Sequence, residues 1–136
     1  MTDVRENDAS ILDHDRLFRR VPPNHLVPQN DGSLRLSSAA FKDDELSVNI
    51  ESLMVEQGRL PDDTLAGHPG FFLTSITAGN VRSFGHAVVK DNVSQPNEPP
   101  VDPAHGLVLG KKRGSFAKAM VRSHDWIVPP PSPSKE

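Results

Sequence analysis

The sequence predicts an α+β fold: a small single domain in which a mixed, mainly antiparallel sheet of about four or five short strands is packed on one side by one or two helices. Three observations lead there. Short β-branched or aromatic runs such as Phe71-Phe-Leu-Thr-Ser-Ile-Thr77 are separated by glycine and proline signals at short intervals. One C-terminal segment carries Phe116, Ala119 and Met120 at helical spacing. The 136 residues suffice for one core, but 35% hydrophobic content and 13 prolines assign part of the length to tail and loop.

Taken in order, residues 1–14 are polar and acidic without apolar periodicity and read as a flexible arm. The globular domain is expected over 15–128. Leu17-Phe-Arg-Arg-Val21 forms a strand that Pro22-Pro23 ends, because neither proline can donate to a ladder. Gln29-Asn-Asp-Gly32 is a turn, and Leu34-Arg-Leu36 returns as a second strand, the pair making a hairpin-like entry. Lys42-Asp-Asp-Glu45 is a solvated loop. Residues 46–50 fit a strand, but Asn49 can also cap a helix that stops at Gly58, and the helix over 50–57 is the preferred reading.

After the break Gly67-His-Pro-Gly70, residues 71–77 and 85–90 read as strands joined by a turn or single helical turn at 78–82. These two strands are expected at the centre of the sheet. Residues 92–103, with Pro96, Pro99, Pro100 and Pro103, run as an extended surface loop. A strand over 105–109, a sheet-packing helix over 115–123 and a core-closing segment Trp126-Ile-Val128 follow. Residues 129–136 are a proline-rich flexible tail.

Composition narrows the chemistry. With no cysteine, disulfides, thiolate metal sites and a cysteine nucleophile are excluded. No run approaches the roughly 20 apolar residues that span a bilayer, and the acidic start lacks a secretory pattern. A soluble, cytoplasmic protein without a membrane partner is the expectation. A net charge of -3 argues against a uniformly basic nucleic-acid binder, yet the charge is uneven. Residues 106–122 hold Lys111, Lys112, Arg113, Lys118 and Arg122 and no acid.

That stretch is the candidate site. An apolar strand meets the basic glycine turn Gly110-Lys-Lys-Arg-Gly-Ser115, and a helix beginning near Ser115 would present unpaired N–H groups and partial positive charge. The expected function is a small binding or accessory module that holds a nucleotide, a nucleic acid or another phosphate-bearing anion. Its expected ligands are Lys111, Lys112, Arg113 and Ser115, aided by Arg19, Arg20 and His105. No cofactor and no metal are expected. The turn does not have the P-loop order, so ATP hydrolysis is unsupported.

His25, His68, His86 and His105 show no metal-ligand spacing, and Asp102 beside His105 fits the cap of a turn at Asp102-Pro103 better than a catalytic partner. Asp43, Asp44, Glu45, Asp62 and Asp63 read as solvated acids rather than a Mg²⁺ cluster. No catalytic residue is assigned, and whether the chain is an enzyme stays open. One competing class is a small transferase or hydrolase using Arg19, Ser38, His86 and His105. Another is a protein-interaction domain of the antitoxin, immunity or assembly kind, which predicts an exposed apolar patch. The terminal Pro130-Pro-Ser-Pro133 fits the P-x-x-P peptide pattern, while one Trp, six Phe and no Tyr disfavour a base-stacking platform.

Arg19 on the first strand, followed by Ser37-Ser-Ala-Ala-Phe41, resembles the opening of small ADP-ribosyltransferase-type domains. The resemblance implies that the arginine and a serine help to hold NAD, while a late glutamate directs transfer. Gln95-Pro-Asn-Glu98 lacks the spacing of that late element.

Overall fold

The computed structural model describes residues 7–94, 96–97 and 100–131. Strands β1 (Arg16–Val21), β4 (Glu45–Ile50), β5 (Phe72–Thr77), β6 (Ala87–Lys90), β7 (His105–Leu109) and β8 (Asp125–Val128) form a six-stranded sheet in the order β6-β7-β4-β1-β5-β8. Strands β2 (Leu26–Pro28) and β3 (Leu34–Leu36) form a separate two-stranded sheet. Helices α1 (Glu51–Glu56), α2 (Ala78–Ser83) and α3 (Gly114–Ser123) are accompanied by 3-10 turns at Pro23–His25, Ser38–Phe41 and Pro61–Leu65. All strand pairs are antiparallel.

The α+β expectation holds at the level of class, but the sheet is larger than expected and, among the described residues, contains no parallel pair. The two strands expected at its centre are not neighbours: β5 lies between β1 and β8, and β6 is at the opposite end. The centre is β4 and β1. The expected hairpin of β1 with β3 is also corrected, because the turn closed by Gly32 N–H on Gln29 O joins β3 to β2. Loop closure favours the partner a few residues away, and Pro22-Pro23 has already led the chain off the main sheet.

Strand alternation sorts the core onto two faces. On one, Leu17, Val21, Leu46, Val48, Ile50, Ile76 and Val108 pack under Phe41, Phe116, Ala117 and Met120. On the other, Phe18 and Leu73 meet Met54 and Ala104, and Val89, Leu107 and Leu109 form a smaller buried group. Helices α1 and α3 therefore seat Met54 and Phe116 on opposite faces rather than sharing one side. Residues 46–50 form a strand and the helix follows it. Asn49 lies in β4 and caps nothing; the cap of α1 comes from Asp15, whose carboxylate accepts from Ser52 N–H at 2.9 Å.

Residues 7–14 were expected within a flexible arm, but they are packed. Ile11 is 1% exposed in the main core. Asp8 N–H donates to Val88 O at 2.8 Å, and Asn7 Oδ1 accepts from Val88 N–H at 3.0 Å, so this segment covers the β6 edge. The isolated pair Ile11-Leu12 in a polar segment carries no periodicity, and only Ile11 is buried, which is why the sequence hides it. Residues 1–6 of the expected arm and 132–136 of the expected tail lie outside the described residues. Among the described residues no helix is long and apolar enough to cross a membrane.

Candidate anion-binding site

Strand β7 delivers the chain to the basic turn. Its Gly106 is required there: a β-carbon would sit 2.6 Å from Ile50 Cδ1 and 2.9 Å from Val89 O. At the other end Gly110 adopts φ +115° and the chain reverses into α3. Helix α3 buries Phe116, Ala117 and Met120 and leaves Gly114, Ser115, Lys118, Arg122 and Ser123 exposed. Ser115, Lys118 and Arg122 follow one another at three- and four-residue steps, so they form a ridge along the solvent side.

The expected cap is displaced. Arg113, with extended backbone, occupies the N-cap position and no side chain caps the helix, while Ser115 lies in its first turn. The first N–H groups of α3 thus have neither an intrahelical acceptor nor a side-chain cap, and the helix dipole adds positive potential to theirs.

The expected cluster divides. Lys111, Arg113 and Ser115 are exposed at the start of α3. Lys112 is buried at 8% exposure, and its ammonium donates to Val108 O at 2.8 Å, Gly110 O at 2.6 Å and Asp44 O at 3.1 Å. Burial pushes that ammonium down to about 8, against the pull of Asp44 and Asp43. An anion at the surface does not meet it.

Arg19 is likewise turned inward. Pairing of β1 with β4 stops after Leu17↔Ile50 and Phe18↔Asn49, and the Arg19 guanidinium reaches Ser47 O at 3.0 Å and Ala40 O at 3.1 Å. A third contact joins it to Asp43 at 3.2 Å. Burial lowers its pKa from the ordinary value, and Asp43 opposes this. Arg20, on the opposite face of the strand, donates to Thr64 O at 3.4 Å. His105 opens β7, at the end away from the basic turn, with Nδ1 3.1 Å from the Asp91 carboxylate. The structure does not bring Arg19, Arg20 or His105 to Lys111 and Arg113. Lys118 and Arg122 take their place, and their four-residue spacing was visible in the sequence.

Other polar groups form separate arrangements. Arg59 donates through Nη1 and Nη2 to the two Asp102 oxygens, both at 2.8 Å, and Asn49 Nδ2 adds a bond at 3.2 Å. Asp102 also accepts from Ala104 N–H at 2.8 Å, the turn-capping role read from Asp102-Pro103. These donors, Arg59 foremost, hold its carboxyl at about 2. Sequence spacing gave no sign of the Arg59 partner, 43 residues away.

The residues of the enzyme reading have separate duties. Ser38 opens the 3-10 turn, which its neighbour Ser37 caps by accepting from Ala39 N–H at 3.2 Å. His86 Nδ1 lies 3.1 Å from Leu109 O with its ring against Phe116, while His105 faces Asp91 at the far end of β7. Residues 95 and 98 of the ADP-ribosyltransferase comparison lie outside the described residues. Among the described residues no group of three His, Asp or Glu side chains is placed to hold a metal ion. No family model, no curated protein and no solved structure matches the chain.

Proposed function

We propose that this chain is a small binding module that docks a phosphate-bearing polyanion, such as a nucleic-acid backbone, along the start and outer ridge of α3. The observation that carries this reading is the run Lys111, Arg113, Lys118 and Arg122: all four are exposed, and none has an ion-pair partner among the described residues. No acid interrupts them between residues 106 and 123. From Arg113 to Arg122 the helix rises about 13 Å, which suits an extended anion better than a single phosphate. The mechanism is electrostatic capture, with N–H groups of the first helical turn as further donors. The acidic balance of the remaining chain orients an incoming polyanion toward this face.

Fluorescence anisotropy of a labelled duplex oligonucleotide across a salt series tests the proposal. Four phosphate contacts give a slope of log K on log salt near about -3.6, or a loss of about 150-fold between 50 and 200 mM. Binding that is absent at 50 mM salt and ~100 μM protein, or a slope near zero, would remove it.

A protein-interaction reading has one observation in its favour. Leu12 and Val55 are 54% and 68% exposed and line one open hollow of about 310 Å³. Under that reading, Val55→Ser changes partner recovery and leaves the oligonucleotide salt slope alone.

A further inference from the structure

Lys112 is the cation of the basic run that the ridge does not use. An ammonium has three N–H donors and no acceptor. Here three backbone carbonyls converge on it, those of Val108, Gly110 and Asp44. Two come from β7 and its glycine turn, and the third comes from the loop that leads into β4. Gly110 N–H donates to the same Asp44 O at 3.1 Å, so backbone and side chain tie the turn to that loop together. The backbone at Gly110 admits no side chain: φ is +115°, and a β-carbon would lie 2.9 Å from His86 Nδ1. The charged and titratable groups around the ammonium are Asp43 and Asp44 on the loop and His86 ahead of β6.

In extended backbone, successive side chains point to opposite sides. Lys112 is held inward while Lys111 and Arg113 on either side of it are exposed, and Arg113 has the extended backbone over which that alternation runs. We propose that Lys112 is a positioning residue, its ammonium filling a three-carbonyl cation seat that pins the β7–α3 turn to the entry of β4 and aims Lys111 and Arg113 at the polyanion. This rests on the reading of the α3 ridge as the docking surface. The seat itself is specific for a cation carrying N–H donors. A guanidinium is planar and cannot aim three donors at one converging set, and a quaternary ammonium has no donor at all.

The test is chemical rescue of Lys112→Ala with n-propylammonium chloride, which supplies the missing three carbons and the amine. Tetramethylammonium chloride at the same concentration supplies charge and ionic strength without N–H donors. Two quantities are read: the thermal midpoint, which reports the seat alone, and oligonucleotide affinity, which reports the ridge. Lys112→Ala is expected to lose roughly 5–10 °C, because carbonyls in a buried site lose their donor. Affinity is expected to fall about fivefold or more, and propylammonium, but not tetramethylammonium, restores both. An unchanged midpoint, or equal recovery with the two salts, overturns the seat. A restored midpoint with affinity that never fell keeps the seat and overturns its positioning role.

If the wild-type chain binds no oligonucleotide, the ridge reading and the positioning role fall together while the midpoint still decides the seat. Should Lys112→Ala fold only in propylammonium, that also supports the seat. Should it fold in neither salt, Lys112→Arg decides: wild-type midpoint and affinity in that variant would show that a planar guanidinium fills the site as well and overturn the ammonium-specific seat, while a lowered midpoint supports it.

Discussion

Replacing Asp102 with asparagine keeps the shape of the side chain and removes the charge that Arg59 grips at two points, each 2.8 Å away. The carboxyl is held at about 2 against an ordinary 3.8. A depressed folded pKa means that the unfolded chain binds more protons between those two values, so stability rises with pH across that window. The contribution is complete above about 3.8 and is lost as pH falls through about 2. At ~1.4 kcal/mol per pKa unit the full shift corresponds to about 2–3 kcal/mol. The side chain is 32% exposed, so solvent screening reduces this to about 1 kcal/mol. Urea unfolding of wild type and Asp102→Asn at pH 7, 5, 3.5 and 2.5 measures it. The difference is expected to stay near about 1 kcal/mol down to pH 4 and to shrink below it. A difference that is the same at pH 7 and pH 2.5 would refute the reasoning, since it would assign the effect to packing or to the Ala104 turn instead of the ion pair.

Three further perturbations address the fold. Ile11→Ala is expected to cost about 2–5 kcal/mol in urea unfolding, as for other buried aliphatic truncations, whereas a free arm would give no change. Asp15→Ala removes the borrowed cap of α1 and is expected to cost about 1–2 kcal/mol, with the Ser52 amide losing its hydrogen-exchange protection first. Gly106→Ala forces a methyl against Ile50 and Val89 O and is expected to lower stability by about 1–3 kcal/mol; pairing it with Ile50→Val is expected to recover part of that loss, the double mutant then melting above Gly106→Ala alone.

The parts of the fold visible in the sequence are those whose signals are local. Strands β1, β5, β7 and β8 carry β-branched or aromatic runs with glycine or proline nearby, and α3 carries its own apolar face. What stayed hidden depends on contacts between distant segments. Asn49 reads as a cap from its neighbours, but its backbone pairs with Phe18 and His105 on two distant strands, and its amide donates to Asp102. Asp15 lies 37 residues from the Ser52 amide that it caps. A basic triplet reads as uniformly solvated, and nothing local says that its middle member turns inward. That requires the Gly110 turn to meet the loop at Asp44, a consequence of β7 pairing with β4. The same limit applies to Arg19, whose guanidinium finds its acceptors at Ala40 O and Ser47 O, 21 and 28 residues away.

The central claim is that the outer ridge of α3 captures a phosphate polyanion. Its most direct test compares the oligonucleotide salt slope of the wild-type chain with that of the double variant Lys118→Ala, Arg122→Ala, with His105→Ala as a control at the opposite end of β7. Loss of two phosphate contacts is expected to flatten the slope by about 1.8 and to weaken binding, while His105→Ala keeps the wild-type line. A double variant with the same slope and the same affinity as the wild-type chain would contradict the claim.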